Sequence, residues 1–306
     1  MDTITHILLG YAISQSELIP GAKSAQACII LASIAPDIDL IFRARGVEKY
    51  FIHHRKESHS FSGLFLLSLA IFGFGKYLNP GLGTAKLYFL VWLGLLGHIL
   101  LDFFTSYGVP IFFPLKKRFY NFALLFIFDP WLDIILVFAL AGKRFFTTAY
   151  LPARLSLLAG GGYLVFLAGA KSLAKFQGKR NLERQNILNE QINAYPYFAN
   201  PFRWLVLGKT RNRIYRLSVS LSGKASPTSS FSSQVPEQIK EKAKTHPLVK
   251  AMVNFSDFLW WRYFPREEEK VLQIYDLRYS QYGLGFCAQL VCNQKGELVK
   301  SQFRYY

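Results

Sequence analysis

Cysteine is scarce in this chain of 306 residues: Cys28, Cys287 and Cys292 are the three, and they lack metal-site spacing. A disulfide framework is not expected, and Cys28, inside an apolar run, reads as a small buried side chain. Acidic residues are also few, 19 against 36 Lys and Arg, for a formal net charge of +17. No dense basic block stands behind that charge, because residues 195–306 scatter 17 basic side chains among 8 acidic ones. No nucleic-acid partner is expected; attraction to anionic membrane lipids accounts for the excess equally well. The opening MDTITHILLGYAISQSEL has neither a basic lead-in nor a small-residue cleavage site and does not read as a signal peptide. No internal repeat is visible.

What is abundant is apolar. Hydrophobic residues make up 51% of the chain, with 28 Phe, a composition that points to a membrane. Residues 61–75, 87–104, 122–141 and 151–170 carry most of it, and each approaches the roughly 20 residues that a crossing helix needs. One such run could be a buried helix of a large soluble core, but four in succession, bounded by Lys or Arg, argue against that. Residues 24–42 are apolar yet broken by Pro36, Asp37 and Asp39, which suggests a half-span or re-entrant piece.

Basic residues fix an orientation. Residues 43–56, 116–118 and 171–184, which flank the spans on one side, hold 13, against 5 on the opposite side. The excess predicts that the N-terminal loops and the C-terminal region are cytoplasmic. Beyond residue 195 the pattern changes: 213–223 and 271–306 alternate as strands do, 246–261 suits an amphipathic helix, and 224–238 is a Ser/Pro loop. The expected fold is mostly α: a multi-pass helical membrane domain over 1–175, a connecting helix over 176–195, and a small, β-rich α+β soluble domain over 196–306.

Charge inside an apolar domain is costly and usually has a partner or a task. Five of the six histidines fall in the first 98 residues, and the six aspartates of residues 1–170 sit in short polar islands. The orientation read from Lys and Arg gathers these islands at one membrane face. His98 and Asp102, i and i+4, share a helix face; Asp37 and Asp39 follow Pro36; His54 and His59 bracket a charged loop; His6 lies on the first helical segment. Imidazole and carboxylate donors without clustered thiolate suit zinc, or else manganese or iron, as a divalent metal, and the number of donors leaves room for two ions. Plainer readings stand beside this one. His98 and Asp102 could be a helix-packing hydrogen bond, Asp129-Pro130 a helix N-terminus, Asp2 a helix cap, His53 an interface neighbour, and His246 a surface residue.

The segments DTITHILLG (2–10), APDIDLI (35–41), HRKESHS (54–60), GLLGHILLDFFTSYG (94–108) and DPWLDIIL (129–136) resemble the inner-membrane proteins known as membrane-bound metal-dependent hydrolases. That family is distantly similar to zinc-dependent phospholipase C. The likeness covers about residues 1–170, and NPFRW (200–204) with YDLRY (275–279) resembles an extra domain of longer members. It implies functional roles for His6, Asp37, Asp39, His54, Arg55, His59, His98 and Asp102, with Thr105, Gly108, Asp129 and Asp133 near them. Ser58 stands where Thr is usual, which keeps a hydroxyl, and His53 lies outside the pattern.

Together these readings predict a metal-dependent hydrolase of the inner membrane, acting on an ester or phosphoester, with a lipid as a candidate substrate. Metal ligands are expected among His6, Asp37, Asp39, His54, His59, His98 and Asp102. Asp39 or Asp102 is the candidate base, and Arg55 the candidate anion-holding group. Two alternatives stay open: a non-enzymatic scaffold or regulator with a structural metal, and a transporter. Confinement of the polar residues to one membrane face argues against a through-path.

Overall fold

The computed structural model describes all residues except 21, 79, 149, 267–268, 283–284, 294–297 and 306. It divides into two compact units, Met1–Leu40 with Arg55–Gly169, and Ile41–His54 with Ala170–Tyr306.

The first unit is helical. Helix α1 (Thr3–Gln15) is capped by Asp2, whose carboxylate accepts from the backbone N–H of Ile4 and Thr5, one of the two roles open to that residue. Helix α2 (Gln26–Ile34) continues as 3-10 turns over Ala35–Arg45. With its preceding turn it makes a segment, Lys23–Arg45, long and apolar enough to cross a membrane. The break expected at Pro36 within 24–42 does not end the helix, which continues as 3-10 turns and so reaches crossing length. Helices α4 (Phe61–Leu78) and α5 (Thr84–Phe104) are also of crossing length.

The span expected over 122–141 is shorter than the sequence suggests. Helix α6 runs only over Pro130–Ala141, with Pro130 in its first turn and Asp129 accepting from Trp131 and Leu132 N–H. Residues 122–125 form a strand-like loop held by the end of α5, since Phe122 N–H bonds Phe103 O and Leu124 N–H bonds Phe104 O. Helix α7 (Tyr150–Arg184) is the fourth segment of crossing length. It runs unbroken from apolar into charged sequence and ends at Arg184, short of the 195 expected for the connecting helix.

In the second unit the described residues form two four-stranded antiparallel sheets. The first comprises β1 (Gln191–Tyr197), β2 (Asn200–Lys209), β3 (Arg213–Ser220) and β4 (Ser229–Ser232). The second comprises β5 (Leu259–Arg266), β6 (Glu269–Asp276), β7 (Phe286–Cys292) and β8 (Leu298–Tyr305). Helix α3 (Val47–His53) packs through Phe51 on Phe255 and Phe303. Helices α8 (Glu237–Lys244) and α9 (Pro247–Phe255) lie between the sheets in sequence. His246 caps α9, its Nδ1 accepting from Leu248 N–H. Val206 and Gly208 share one face of β2, and that face meets Gly178 and Leu182 of α7. The run from Trp204 to Gly208 is buried throughout, so both faces of β2 are covered.

Candidate metal centre

The site forms where helices touch at positions without a side chain. A Cβ on Gly94 would lie 2.6 Å from the Ile29 carbonyl oxygen and 2.7 Å from Ala32 Cβ, and one on Gly10 would lie 2.6 Å from Ser33 Oγ. Small residues let helix backbones approach closely where lipid supplies no hydrophobic drive for association. His98 is one turn after Gly94, and His6 one turn before Gly10, so both imidazoles are carried to the same place. Their rings stack, with centroids 3.7 Å apart.

His98 Nδ1 is 2.7 Å from the Ser33 carbonyl oxygen. A carbonyl can only accept, so Nδ1 carries the proton and Nε2 turns its lone pair inward. There Asp37, His59, His98 and Asp102, all buried, each offer a ligand atom within 4.8 Å of the others. His59 Nε2 and His98 Nε2 are 3.1 Å apart. Asp102 Oδ2 is 3.2 Å from His59 Nε2 and 3.4 Å from His98 Nε2. Asp37 Oδ1 is 3.7 Å from both imidazoles. A tetrahedral ion with bonds of about 2.0–2.1 Å has ligand–ligand edges of about 3.3 Å. The spacing and the donor set fit a divalent cation.

Asp39 stands behind this group. Its Oδ2 is 3.6 Å from His59 Nδ1, the nitrogen facing away from the four ligand atoms, and accepts from Arg55 N–H at 2.6 Å and from Ser58 Oγ at 3.3 Å. Ser58 Oγ is also 3.0 Å from His59 Nδ1. A carboxylate behind a ligating imidazole fixes its orientation and raises its basicity. Burial pushes the His59 imidazole down to about 4, against the nearby Asp102 and Asp39 carboxylates, whose charge favours the charged form, so the ring is neutral at pH 7.

Arg55, with a positive φ of 58°, turns its guanidinium onto Asp102, Nη2 lying 2.8 Å from Oδ1. It is buried, lies over the Tyr107 ring at 4.7 Å, and donates through Nη1 to Thr105 Oγ1 and the Gly108 carbonyl. Gly108 has φ +80° and no room for a Cβ beside Tyr120 O. The amine of Met1 also contacts Asp102. His6 Nε2 is 3.5 Å from Asp102 Oδ1, yet neither His6 nitrogen makes a hydrogen bond, and neither does Asp102 Oδ2. Buried polar atoms left in that state are costly and mark where a cation would be satisfied by them.

The other expected residues are not part of that tetrad. His54 belongs to the second unit and stacks on Tyr50, and His53 stacks on Phe42. Asp129 caps α6 and accepts from the Tyr163 hydroxyl, while Asp133 accepts from Thr5 Oγ1 at 2.6 Å. Sequence reasoning missed Gly10, Ser33 and Gly94. The readable signal was a glycine four residues from each of His6 and His98.

Among the described residues, four apolar segments of crossing length and a buried His/Asp tetrad define the class: a multi-pass membrane protein with a candidate divalent-metal site. The chain belongs to the family of the YdjM inner membrane protein, whose model matches residues 1–174. Along nearly its full length it is similar to the uncharacterized protein YfhP of Bacillus subtilis (strain 168). The two are 24% identical over 304 residues, covering 92% of this chain and 88% of that one. No solved structure matches. The family's description agrees with a multi-pass inner-membrane location.

Proposed function

We propose that the protein is a metal-dependent hydrolase of an ester or phosphoester at the cytoplasmic face of the inner membrane, with zinc the preferred ion. The observation that carries this reading is the meeting of His98 Nε2, His59 Nε2 and the carboxylate oxygens of Asp37 and Asp102 at 3.1–3.7 Å. Such a cluster of electron pairs is stable in a buried site only around a cation. A bound divalent ion supplies polarisation of a scissile carbonyl or phosphoryl oxygen and acidifies a water.

His59, His98 and Asp102 are the closely spaced holding set. Asp39 keeps His59 aligned, and Arg55 steadies Asp102. Asp37, the most distant of the four, is assigned the proton: its carboxylate takes one from water as water attacks and returns it to the leaving oxygen. Asp39 and Asp102, the bases expected from sequence, are engaged by Arg55. The same contact turns Arg55 from the substrate-anion role expected of it toward positioning Asp102. The cytoplasmic location rests on the 13-to-5 asymmetry of basic residues.

The test is metal content by mass spectrometry of detergent-purified protein, with hydrolysis of a phosphoester and phospholipid panel. Wild type should carry about one ion per chain, lost in H98A and D102A. D37N should keep its metal and lose hydrolysis. Folded wild type that takes up no ion overturns the proposal. The four-ligand geometry also favours a second reading, a closed structural metal centre; retained metal with no hydrolysis of any substrate would select it.

A further inference from the structure

Asp37 faces two ways. Its Oδ1 joins the tetrad, and the residue also lines a groove of about 520 Å³. The groove runs between two segments of crossing length. Leu31, Ile34 and Ile38 line one wall, and Leu67, Ile71 and Phe74 line the other. Within each wall these residues recur at helical spacing of three, four or seven, so each wall is one stripe of a helix. From residue 67 to 74 such a stripe is about 10 Å long. Ala70 lies between the bulkier residues of its wall, where its short side chain leaves the groove open. The polar lining is Thr3 and Asp37, and Thr3 Oγ1 donates to Asp37 Oδ2 at 3.4 Å.

We infer that this groove receives a hydrocarbon chain of the substrate, so that the hydrolysed ester or phosphoester belongs to a membrane lipid. The inference rests on the hydrolase reading. An apolar channel alone could be ordinary lipid-facing surface. This one runs from exposed Phe74 to a buried carboxylate of the tetrad, which sets a polar head at the tetrad when the tail lies along the walls. A water-soluble ester would gain nothing from walls of Leu, Ile and Phe, whereas each methylene of a lipid tail buried there contributes to binding.

The experiment uses full-length protein in detergent micelles with one equivalent of a phospholipid bearing a diazirine on its acyl chain, photolysed and mapped by peptide mass spectrometry. Labelling should concentrate on residues 31–40 and 67–74, exceed that of exposed Leu158 and Val165 on α7 at least five-fold, and fall when unlabelled phospholipid is added. A70W should reduce groove labelling at least five-fold with metal content unchanged. Labelling spread evenly over α4 and α7, or unaffected by competitor, overturns the inference, and wild type alone decides this if A70W does not fold. Metal content is read on the same samples. Metal present with no groove labelling removes the lipid inference and leaves the metal centre; groove labelling without metal removes the hydrolase reading instead.

Discussion

Two of the places where the chain buries charge treat it in opposite ways. In the second unit, Asp276 and Arg278 form a self-contained pair. Arg278 Nη2 is 2.7 Å from Asp276 Oδ2, and Nε reaches both carboxylate oxygens at 3.0–3.1 Å. Ser256 Oγ and Arg278 N–H supply the remaining donors to Oδ1, and the guanidinium lies over Phe255. Around Asp102 the balance differs: Arg55 and the Met1 amine both serve one carboxylate oxygen, while the other oxygen faces two imidazole nitrogens without a hydrogen bond. A buried ion pair that satisfies its own partners needs nothing more. A buried group of acceptors that face one another needs a ligand.

That difference can be broken from either side. The largest effect is expected from D102A, which removes a metal ligand and leaves Arg55 buried without its carboxylate. Metal binding should fall beyond detection, and stability by about 3–5 kcal/mol, read by metal analysis and chemical denaturation in detergent. D276A should lose a similar 3–5 kcal/mol by stranding Arg278 but keep its metal. Added zinc should raise Tm in wild type and D276A and leave it unchanged in D102A. If zinc failed to separate the two variants, the contrast between the two charge sites would be wrong.

A smaller effect is expected from D39N. Asp39 touches His59 from behind and so should act on metal affinity through imidazole orientation alone, by about 10–100-fold. Metal titration of D39N beside wild type checks this. Complete loss of metal would instead make Asp39 a direct ligand, as its place in the APDIDLI segment first suggested.

The sequence made much of this legible. His98 and Asp102 at i and i+4 on an apolar helix, the Asp129-Pro130 start, and the change from long apolar runs to alternating strands each follow from local rules. Other features depend on what the chain meets in space. Asp37 and Asp39 are equivalent on paper; the 3-10 turns send one into the tetrad and the other behind His59. HRKESHS gives no sign that His54 ends α3 in one unit while His59 serves the other. Residues 122–128 are as apolar as a span, yet they form a loop stitched to the end of α5, which hydropathy does not detect. β1 and β2 carry Pro196 and Pro201, residues that sequence rules confine to edges or strand starts. Pro201 is near the start of β2, which allowed that strand to form and hid it.

A further expected effect distinguishes the two charge sites by pH. In metal-stripped protein, burial holds the His59 imidazole at about 4 against an ordinary 6.5. Between those values the unfolded chain binds the extra proton and the folded chain does not, so stability rises with pH across this window and is fully present above 6.5. Lowering the pH from 7 toward 4 should therefore destabilise the stripped protein progressively. H59Q should lose that component of the slope, and D276N, which leaves His59 untouched, should keep it. With zinc present the decline should steepen, because protons then compete with the ion for His59 and His98 together. Equal slopes in stripped wild type and H59Q would mean that His59 is protonated in the folded protein, making it a counter-ion of Asp102 like Arg278 beside Asp276, and the contrast between the two sites would collapse.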